Sequence, residues 1–482
     1  MPGKHKYYLL ITVVILIAIV IRAIPLDSES LTGDELYSLE VAKDLFGSGL
    51  KQVGYYLAHP PLYYVFLYPI VHYIGEEPFN LRLLSLVSGI VIILSVIMWT
   101  SRLTGKSYAG ILGGLLVAIS SQQIYYSQDA ESYSMYSLLI FFAAISLYGA
   151  IERNENKYWI LYSLFIALSF LTHYISLIYF LLFGIYMVSI HNYKHLKKWF
   201  LLSLPAIILL ATWFIFLWRS YTEEIGAVEH LSWIDKPGLF SLFYLFADVN
   251  GLPPFHKGAA VTLLALLILV TLCAYKLVAG KAWKHDPKLF NNYILIGLMA
   301  FLPPIILFIA ASPPLSMQVW VPRHVFPSYA FLAVFVAMSI RYVFNKNKTL
   351  LITSILVLVG MQALGSIAWT QGPKRHPYRE IAQHTRNINS NNVPVFTTYY
   401  RCPGRVCNYY LNDRGYVKRA PGESRDLPSE FILIYRPAVT EDSEYYKDLI
   451  EKGWCNKESL HFGGTWGHTV AKMDNRDGEN AR

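Results

Sequence analysis

About eleven runs of roughly 17–25 apolar residues decide what this chain can fold into. Each run is long enough to cross a hydrocarbon core about 30 Å thick as an α-helix. The composition agrees, because 54% of the 482 residues are hydrophobic and only 15% are charged, too few for a soluble surface. We therefore predict an all-α polytopic membrane protein. The runs lie near 8–26, 81–101, 108–126, 132–150, 158–174, 175–190, 199–218, 258–279, 290–311, 324–342 and 349–369.

Lysine and arginine residues concentrate in every second connection between these runs. This is the positive-inside pattern, so we assign that side and the N-terminus to the cytoplasm of a cell (inner or plasma) membrane. The pattern also accounts for the net charge of +9, and we expect no nucleic-acid partner. The basic residues of this side are Lys4, Lys6, Arg102, Lys106, Arg153, Lys157, Lys194, Lys197, Lys198, Lys276, Lys281, Lys284, Lys288, Arg341, Lys346 and Lys348.

One further apolar stretch, Pro61 to Ile74, is not counted as a span. Its length of about 14 residues is short for a transmembrane helix. Counting it would also place Arg102, Lys106 and every later basic cluster on the wrong side. We predict an interfacial or re-entrant helix on the outer face.

The chain becomes polar after the last run. We predict a transmembrane module at 1–369, with a first outer loop at 27–80, and an extracytoplasmic α/β domain at 370–482. Cys402, Cys407 and Cys455 lie in this tail, in a compartment that can oxidise thiols. A Cys402–Cys407 disulfide is one of the pairings left open. The patterns predict helices at 378–388 and 443–452 and strands at 393–398, 431–435 and 469–473.

The first outer loop begins with an amphipathic helix from Leu31 to Phe46, which Gly47 and Gly49 end. Asp34 and Glu35 lie in its first turn. One interpretation is structural, because Thr32 and Glu35 have capping-box spacing and acids are favourable near a helix N-terminus. The other is that Asp34 faces a cavity at the membrane surface and takes a proton from a hydroxyl. The predicted apolar face is Leu36, Leu39, Ala42, Leu45 and Phe46.

The same loop ends with His59-Pro60-Pro61, and Arg82 follows at the outer end of the second run. The structural interpretation is a helix start with proline in the first turn, and a snorkelling Arg82. The functional interpretation is that His59 faces a phosphate or an acceptor.

The second outer loop is short and contains Asp129 and Glu131. Solvation at the membrane boundary is the structural interpretation. Alternatively the two acids bind sugar hydroxyls or, together with Asp34, a divalent metal ion.

Arg323 and His324 precede the tenth run on the outer side, where the charge rule disfavours a cation. Snorkelling is again possible. A phosphate partner is the alternative, since a guanidinium group binds phosphate with two parallel hydrogen bonds.

These features together resemble the GT-C fold glycosyltransferases. The resemblance is closest to the dolichyl-phosphate-mannose protein mannosyltransferase-like family of bacteria and archaea, which includes the lipid A aminoarabinose transferase. It rests on the order and sidedness of short motifs over nearly the whole chain. These motifs are Asp34-Glu35, His59-Pro60-Pro61-Leu62-Tyr63, Arg82-Leu-Leu-Ser85, Tyr126-Ser-Gln-Asp-Ala, Arg323 before Pro327, and Asn408-Tyr-Tyr-Leu411.

The resemblance implies an inverting transfer of a sugar from a polyprenyl-phosphate donor to a protein, lipid or glycan acceptor. Asp34 is then the general base, assisted by Glu35. The implied phosphate-binding residues are Arg323, His59, Arg82 and His324, and the implied substrate-binding residues are Asp129, Glu131, Gln128 and Tyr133.

One motif departs from the family. Many relatives have Gln-Glu-Ala-Arg-x-Tyr where this chain has Gln128-Asp-Ala-Glu-Ser-Tyr133. Glu131 thus replaces a positive charge with a negative one. If that arginine contacts phosphate in relatives, the contact is absent here or made by another residue such as Arg323.

A transporter or flippase is the main alternative to an enzyme. Transporters usually show repeats and polar groups at mid-membrane. In this chain the acids of the first two outer loops are predicted at the outer surface, and Thr172, His173 and Tyr174 lie near a helix end. A structural or assembly protein is the third possibility. It would leave Asp34, Asp129 and Arg323 without a shared purpose.

Overall fold

A computed structural model shows two compact units. It describes residues 2–49, 59–191, 193–223, 236–238, 240–243, 246, 258–370, 377–389, 391–398, 405–411, 417–420, 427–452, 454–462 and 468–475. Unit 1 contains 1–24 and 41–371, and unit 2 contains 25–40 and 372–482.

Unit 1 is helical, and every predicted run contains at least one helix. The helices are α1 (Pro2–Ala23), α3 (Leu62–Tyr73), α4 (Pro78–Thr104), α5 (Ser107–Ala118), α6 (Ser121–Ser127), α7 (Tyr133–Arg153), α8 (Asn156–Phe170), α9 (Ser176–Ser189), α10 (Tyr193–Glu223), α11 (Gly258–Ala279), α12 (Ala282–His285), α13 (Pro287–Ala311), α14 (Pro327–Val343) and α15 (Lys348–Thr370). Helix α2 (Gly33–Lys43) crosses from unit 2 into unit 1.

Six helices in the described part of the chain are long and apolar enough to cross a membrane. They lie at His5–Asp27, Pro78–Thr104, Tyr133–Arg153, His195–Phe216, Pro287–Ala311 and Lys348–Ile367. Four shorter apolar helices accompany them, at Ser107–Ala118, Ser176–Ser189, Leu263–Ala279 and Pro327–Val343. The chain is therefore a mostly helical integral membrane protein.

The core of unit 1 depends on close helix contacts. On α5, a Cβ atom at Gly110 would lie 1.9 Å from Ser101 Oγ of α4, and one at Gly114 would lie 2.1 Å from Ile97 Cγ1. Glycines four residues apart therefore let α4 and α5 approach closely, as small residues do in membrane helix pairs. Large buried rings such as Trp159 and Phe141 fill the rest of this core.

The predicted run at 108–126 is two helices rather than one. Helix α5 ends at Ala118, and α6 begins after Ser120, whose hydroxyl accepts a hydrogen bond from Gln123 N at 3.5 Å. The break is stabilised by Arg22, whose guanidinium binds the last carbonyls of α5. The predicted helix at Pro61–Ile74 is present as α3.

The described strands of unit 2 are β1 (Val395–Thr397), β2 (Val417–Arg419), β3 (Glu430–Tyr435), β4 (Trp454–Phe462) and β5 (His468–Asn475). They form a five-stranded mixed sheet in the order β2-β1-β3-β5-β4. Strand β1 is parallel to β2 and β3, and β5 is antiparallel to β3 and β4. Its core includes Phe431, Leu433 and Trp454. The described helices that accompany the sheet are α16 (Tyr378–Ile388), α17 (Arg405–Leu411) and α18 (Thr440–Glu451).

The described part of the tail has every element that the sequence predicted, and three more. Helix α17 and strands β2 and β4 were not predicted. Only the first residue of β2 is buried, and most of β4 is exposed, so their sequences lack the apolar signal of a core strand. Cys402 lies outside the described residues, so its pairing with the buried Cys407 stays a prediction.

The segment 25–40 belongs to unit 2, although the sequence analysis assigned it to the transmembrane module. Polar contacts explain this grouping. Leu31 N donates to Tyr410 OH at 2.7 Å, Arg379 Nη2 lies 3.1 Å from Asp27 Oδ1, and Arg405 pairs with Glu40.

The predicted apolar face of the 31–46 helix is confirmed except at its end. Leu36, Leu39, Ala42 and Leu45 are buried, but Phe46 is 73% exposed. Helix α2 ends at Lys43 and a π-helical turn follows at Leu45–Gly49, which rotates Phe46 out of line with the face.

Candidate functional site: a buried histidine cluster

Three histidines distant in the sequence pack together in unit 1. The ring of His173 lies 4.5 Å from that of His59 and 5.4 Å from that of His324, measured between centroids. On its other side His173 stacks on Tyr136 at 4.6 Å and 17°. Tyr133 lies edge-on to His59 at 5.2 Å. The cluster therefore joins the start of α3, the N-terminus of α7, the α8–α9 turn and the segment before α14.

Charged groups border this cluster. His59 Nε2 lies 3.0 Å from Tyr133 OH and 3.9 Å from Glu131 Oε2. The Arg323 guanidinium lies over the Tyr133 ring, 5.4 Å from its centroid. Tyr133 thus contacts both a histidine and an arginine that the sequence assigned to phosphate binding.

His59 is held in its neutral form. Burial, and then the nearby His324 and Arg323, lower the pKa of His59 to about 3. A neutral imidazole can donate one hydrogen bond and accept another. A bound anion would reverse the direction of this shift, because an opposite charge stabilises the protonated ring.

Two reciprocal sets of hydrogen bonds position the 128–133 loop. The Arg22 guanidinium donates to the carbonyl oxygens of Ala118 at 2.7 Å and Val117 at 3.2 Å, and to Ser127 Oγ at 2.9 Å. In return, Gln128 Nε2 donates to the carbonyl oxygen of Arg22 at 2.9 Å. Gln128, predicted to bind substrate, therefore ties this loop to the end of α1.

The structure contradicts the interpretation of Asp129 and Glu131 as solvated acids. Their exposed fractions are 4% and 5%. Glu131 N donates to Asp129 O at 2.7 Å, and Ser85 Oγ donates to Glu131 O at 3.1 Å, so the tight turn is fixed against α4. This packing turns both carboxylates inward.

The snorkelling interpretation of Arg82 is also wrong. Arg82 is 1% exposed and lies in the first turns of α4, three residues before Ser85, which binds the Glu131 carbonyl. His324, by contrast, is fixed by the backbone, because its Nδ1 lies 3.0 Å from Val319 O.

Asp34 and Glu35 lie in the first turn of α2 and have opposite environments. The capping box is confirmed: Glu35 Oε2 accepts from Thr32 N at 2.9 Å, and Thr32 Oγ1 accepts from Glu35 N at 3.2 Å. Glu35 is fully buried, whereas Asp34 is exposed. Glu35 thus fixes the helix start, and Asp34 keeps access to solvent.

Asp34 belongs to unit 2, whereas Asp129 and Glu131 belong to unit 1, so the metal set of these three acids stays a prediction. Among the described residues, no group of three or more His, Cys, Asp and Glu side chains could hold a metal ion. The same holds for the three clustered histidines, whose ring pairs are tilted or edge-to-face.

His173 is the site residue that sequence reasoning set aside. It lies in the turn between α8 and α9, is 2% exposed, and contacts both predicted histidines. Its position in the sequence could have indicated this role. A histidine between two almost touching apolar runs lies at one end of both helices, here the end that the charge pattern predicts to be outer.

These features define the molecule as a membrane protein with a helical module and a buried, partly cationic cluster in the connections between its helices. The sequence model of one family, described as dolichyl-phosphate-mannose-protein mannosyltransferase, matches residues 58–218. The matched segment contains the 128–133 loop, helices α3 to α9, and two of the three clustered histidines, His59 and His173. The chain matches no curated protein.

Solved structures show the fold. ArnT from Cupriavidus metallidurans in the apo state matches with a TM-score of 0.61 and 13% identity, over 98% of both chains. The same protein bound to undecaprenyl phosphate matches with 0.59 and 11% identity, over 96% of this chain and 97% of that one. The apo oligosaccharyltransferase of Archaeoglobus fulgidus matches with 0.55 and 12% identity, over 95% and 74%. The GT-C fold predicted from the motifs is thereby confirmed.

Proposed function

We propose that this protein is a glycosyltransferase. It transfers a sugar from a polyprenyl-phosphate-linked donor to a protein, lipid or glycan acceptor on the extracytoplasmic face. The observation that supports it most is the His59–His173–His324 cluster with Arg323. His59 and His173 lie within the segment that the mannosyltransferase family model matches. ArnT bound to undecaprenyl phosphate has the same fold.

The cluster suits the phosphate of the donor. Arg323 supplies a permanent positive charge, and His59 and His324 supply polar ring nitrogens in a buried setting. Arg82 adds a second buried guanidinium on α4. As the bond from the sugar C1 to the phosphate oxygen breaks, these groups stabilise the charge that develops on the leaving phosphate.

Asp34 acts on the acceptor rather than on the donor phosphate. Asp34 is an exposed carboxylate in the first turn of α2, where it can accept a proton from an acceptor hydroxyl. The acceptor oxygen forms the new bond to C1 while its proton passes to Asp34. Glu35 assists by holding the helix start through its capping box.

The membrane topology we propose has about eleven spans, with the N-terminus in the cytoplasm and unit 2 outside it. Helices at all eleven predicted runs support the count, including those too short to qualify alone. The sidedness rests on the alternating basic loops.

Transfer of labelled sugar by the purified protein tests this proposal. The protein is incubated with a panel of polyprenyl-phosphate sugars, with and without EDTA. We expect sugar transfer or donor hydrolysis with at least one donor. The EDTA arm shows whether the reaction needs a divalent metal. Movement of an intact lipid-linked substrate across vesicles, with no cleavage of any donor, would instead support a flippase.

A further inference from the structure

A cavity with an apolar lining and a basic end lies far from the histidine cluster. This cavity of about 460 Å³ opens between α4, α7 and α8, with Trp99, Ser146 and Tyr158 in its lining. Arg102 lies at the C-terminal end of α4 and also lines it. Arg82, a residue of the candidate site, is about 20 residues earlier on α4, which corresponds to about 30 Å along the helix.

The cavity lining is suited to a hydrocarbon chain. Its side chains are mainly apolar and aromatic, and its rim is open to the surface of the helical unit at Met98 and Leu161, which are 59% and 37% exposed. In a membrane-spanning unit such a surface faces lipid. The volume falls in the range of ordinary small-ligand sites.

Two arginines flank the tyrosines of this lining. The Arg102 guanidinium lies 5.8 Å from the Tyr148 ring centroid, and that of Arg153 lies 5.2 Å from the Tyr158 centroid. In the described part of the chain, neither arginine has a carboxylate within salt-bridge distance.

The nearby acids are already paired. Glu152 binds Lys288, and Glu155 binds Lys157. Two cations therefore remain at one end of an apolar cavity without a carboxylate to neutralise them. Basic groups between membrane helices on the cytoplasmic side are a known setting for anionic headgroups.

We propose that this cavity binds an anionic membrane phospholipid. One acyl chain occupies the space beside Trp99 and Ser146, and the phosphate lies between Arg102 and Arg153. The site is separate from the proposed catalytic cluster, so it stands or falls independently of the glycosyltransferase proposal.

Native mass spectrometry of the purified full-length protein tests this site, with phosphatidylglycerol and phosphatidylcholine added in parallel. We expect wild type to retain phosphatidylglycerol preferentially. Arg102→Gln/Arg153→Gln should weaken that retention about tenfold or more, since charge-assisted hydrogen bonds to phosphate are lost. The control, Lys346→Gln/Lys348→Gln, removes the same charge from the same side away from the cavity.

A substitution that fills the cavity tests the binding of the acyl chain without changing the charge of the site. Ser146→Phe should abolish retention of phosphatidylglycerol, and Ser95→Phe serves if that variant fails to elute as a folded monodisperse protein. Equal retention of both lipids by wild type, or unchanged retention in the arginine variant, would overturn the proposal. Retention of undecaprenyl phosphate without phosphatidylglycerol would also overturn it, in favour of the carrier lipid.

Discussion

This molecule has two pairs of acidic residues that are close together in the sequence, and the two pairs differ in how they are buried. Asp34 and Glu35 lie in a helix turn of unit 2, where one carboxylate is exposed and the other is buried in a capping box. Asp129 and Glu131 lie in a tight turn of unit 1, and both are buried. The first pair leaves an acid that can exchange a proton with a hydroxyl. The second pair lies in the polar interior of unit 1.

The comparison shows that the two interpretations of a motif need not exclude each other. Glu35 has the structural role, and Asp34, the proposed general base, is exposed within the same turn. In the 128–133 loop, Gln128 has the structural role, while Glu131 faces His59. We therefore expect changes at the structural residues to lower stability first, and changes at the site residues to weaken substrate binding first.

The largest loss of stability is expected from Arg22→Met. This change leaves the buried carbonyls of Val117 and Ala118 without their donor, and should lower the free energy of unfolding by about 3 kcal/mol. Thermal unfolding in detergent measures it. Arg22→Lys keeps one donor and should lose less. Equal stability of wild type and Arg22→Met would show that the 128–133 loop is held by other contacts.

Arg323→Gln should raise the KM for the lipid-linked donor about thirtyfold, because a charge-assisted contact to phosphate is lost. The matched control is Arg341→Gln at the other end of α14, which should leave donor KM unchanged. Initial rates at varied donor concentration give the answer. An equal rise in the KM for donor and acceptor would assign Arg323 a merely structural role.

His59 should make the protein less stable in acid. Its ordinary pKa of about 6.5 is lowered to about 3 by burial and by His324 and Arg323, so the unfolded chain binds more protons between these values. Stability is therefore lost as the pH falls through this window, by about 2 kcal/mol at pH 5. Melting curves at pH 7.5 and pH 5 should show a smaller shift for His59→Gln. A shift equal to that of wild type would mean that folding does not lower the pKa of His59.

The smallest effect is expected from Glu35→Ala. Loss of the capping box should cost about 1 kcal/mol of stability and reduce transfer only modestly. Glu35→Gln keeps an acceptor for Thr32 N and should behave like wild type. If Glu35→Gln loses transfer while its stability is unchanged, the carboxylate itself takes part in the reaction.

The sequence predicted the features that depend on local pattern. Apolar length located the helices, and the spacing of Thr32 and Glu35 located the cap, since both are properties of neighbouring residues. His173 and Arg22 could not be predicted in their observed roles. His173 matters because three distant segments bring His59 and His324 beside it. Arg22, at the end of an apolar run, looks like a headgroup-facing arginine until α5 and α6 are packed against it.

The most direct test of the central claim compares Asp34→Asn with Asp44→Asn. Both acids are exposed residues of the first outer loop, and the carboxylate of Asp44 accepts hydrogen bonds from Ser48 N and Oγ in its own turn. Sugar transfer and donor retention are measured on the same samples. We predict that Asp34→Asn loses transfer by about a hundredfold or more and retains donor as wild type does, while Asp44→Asn changes neither. Transfer at the wild-type rate in Asp34→Asn would contradict the assignment of Asp34 as the general base.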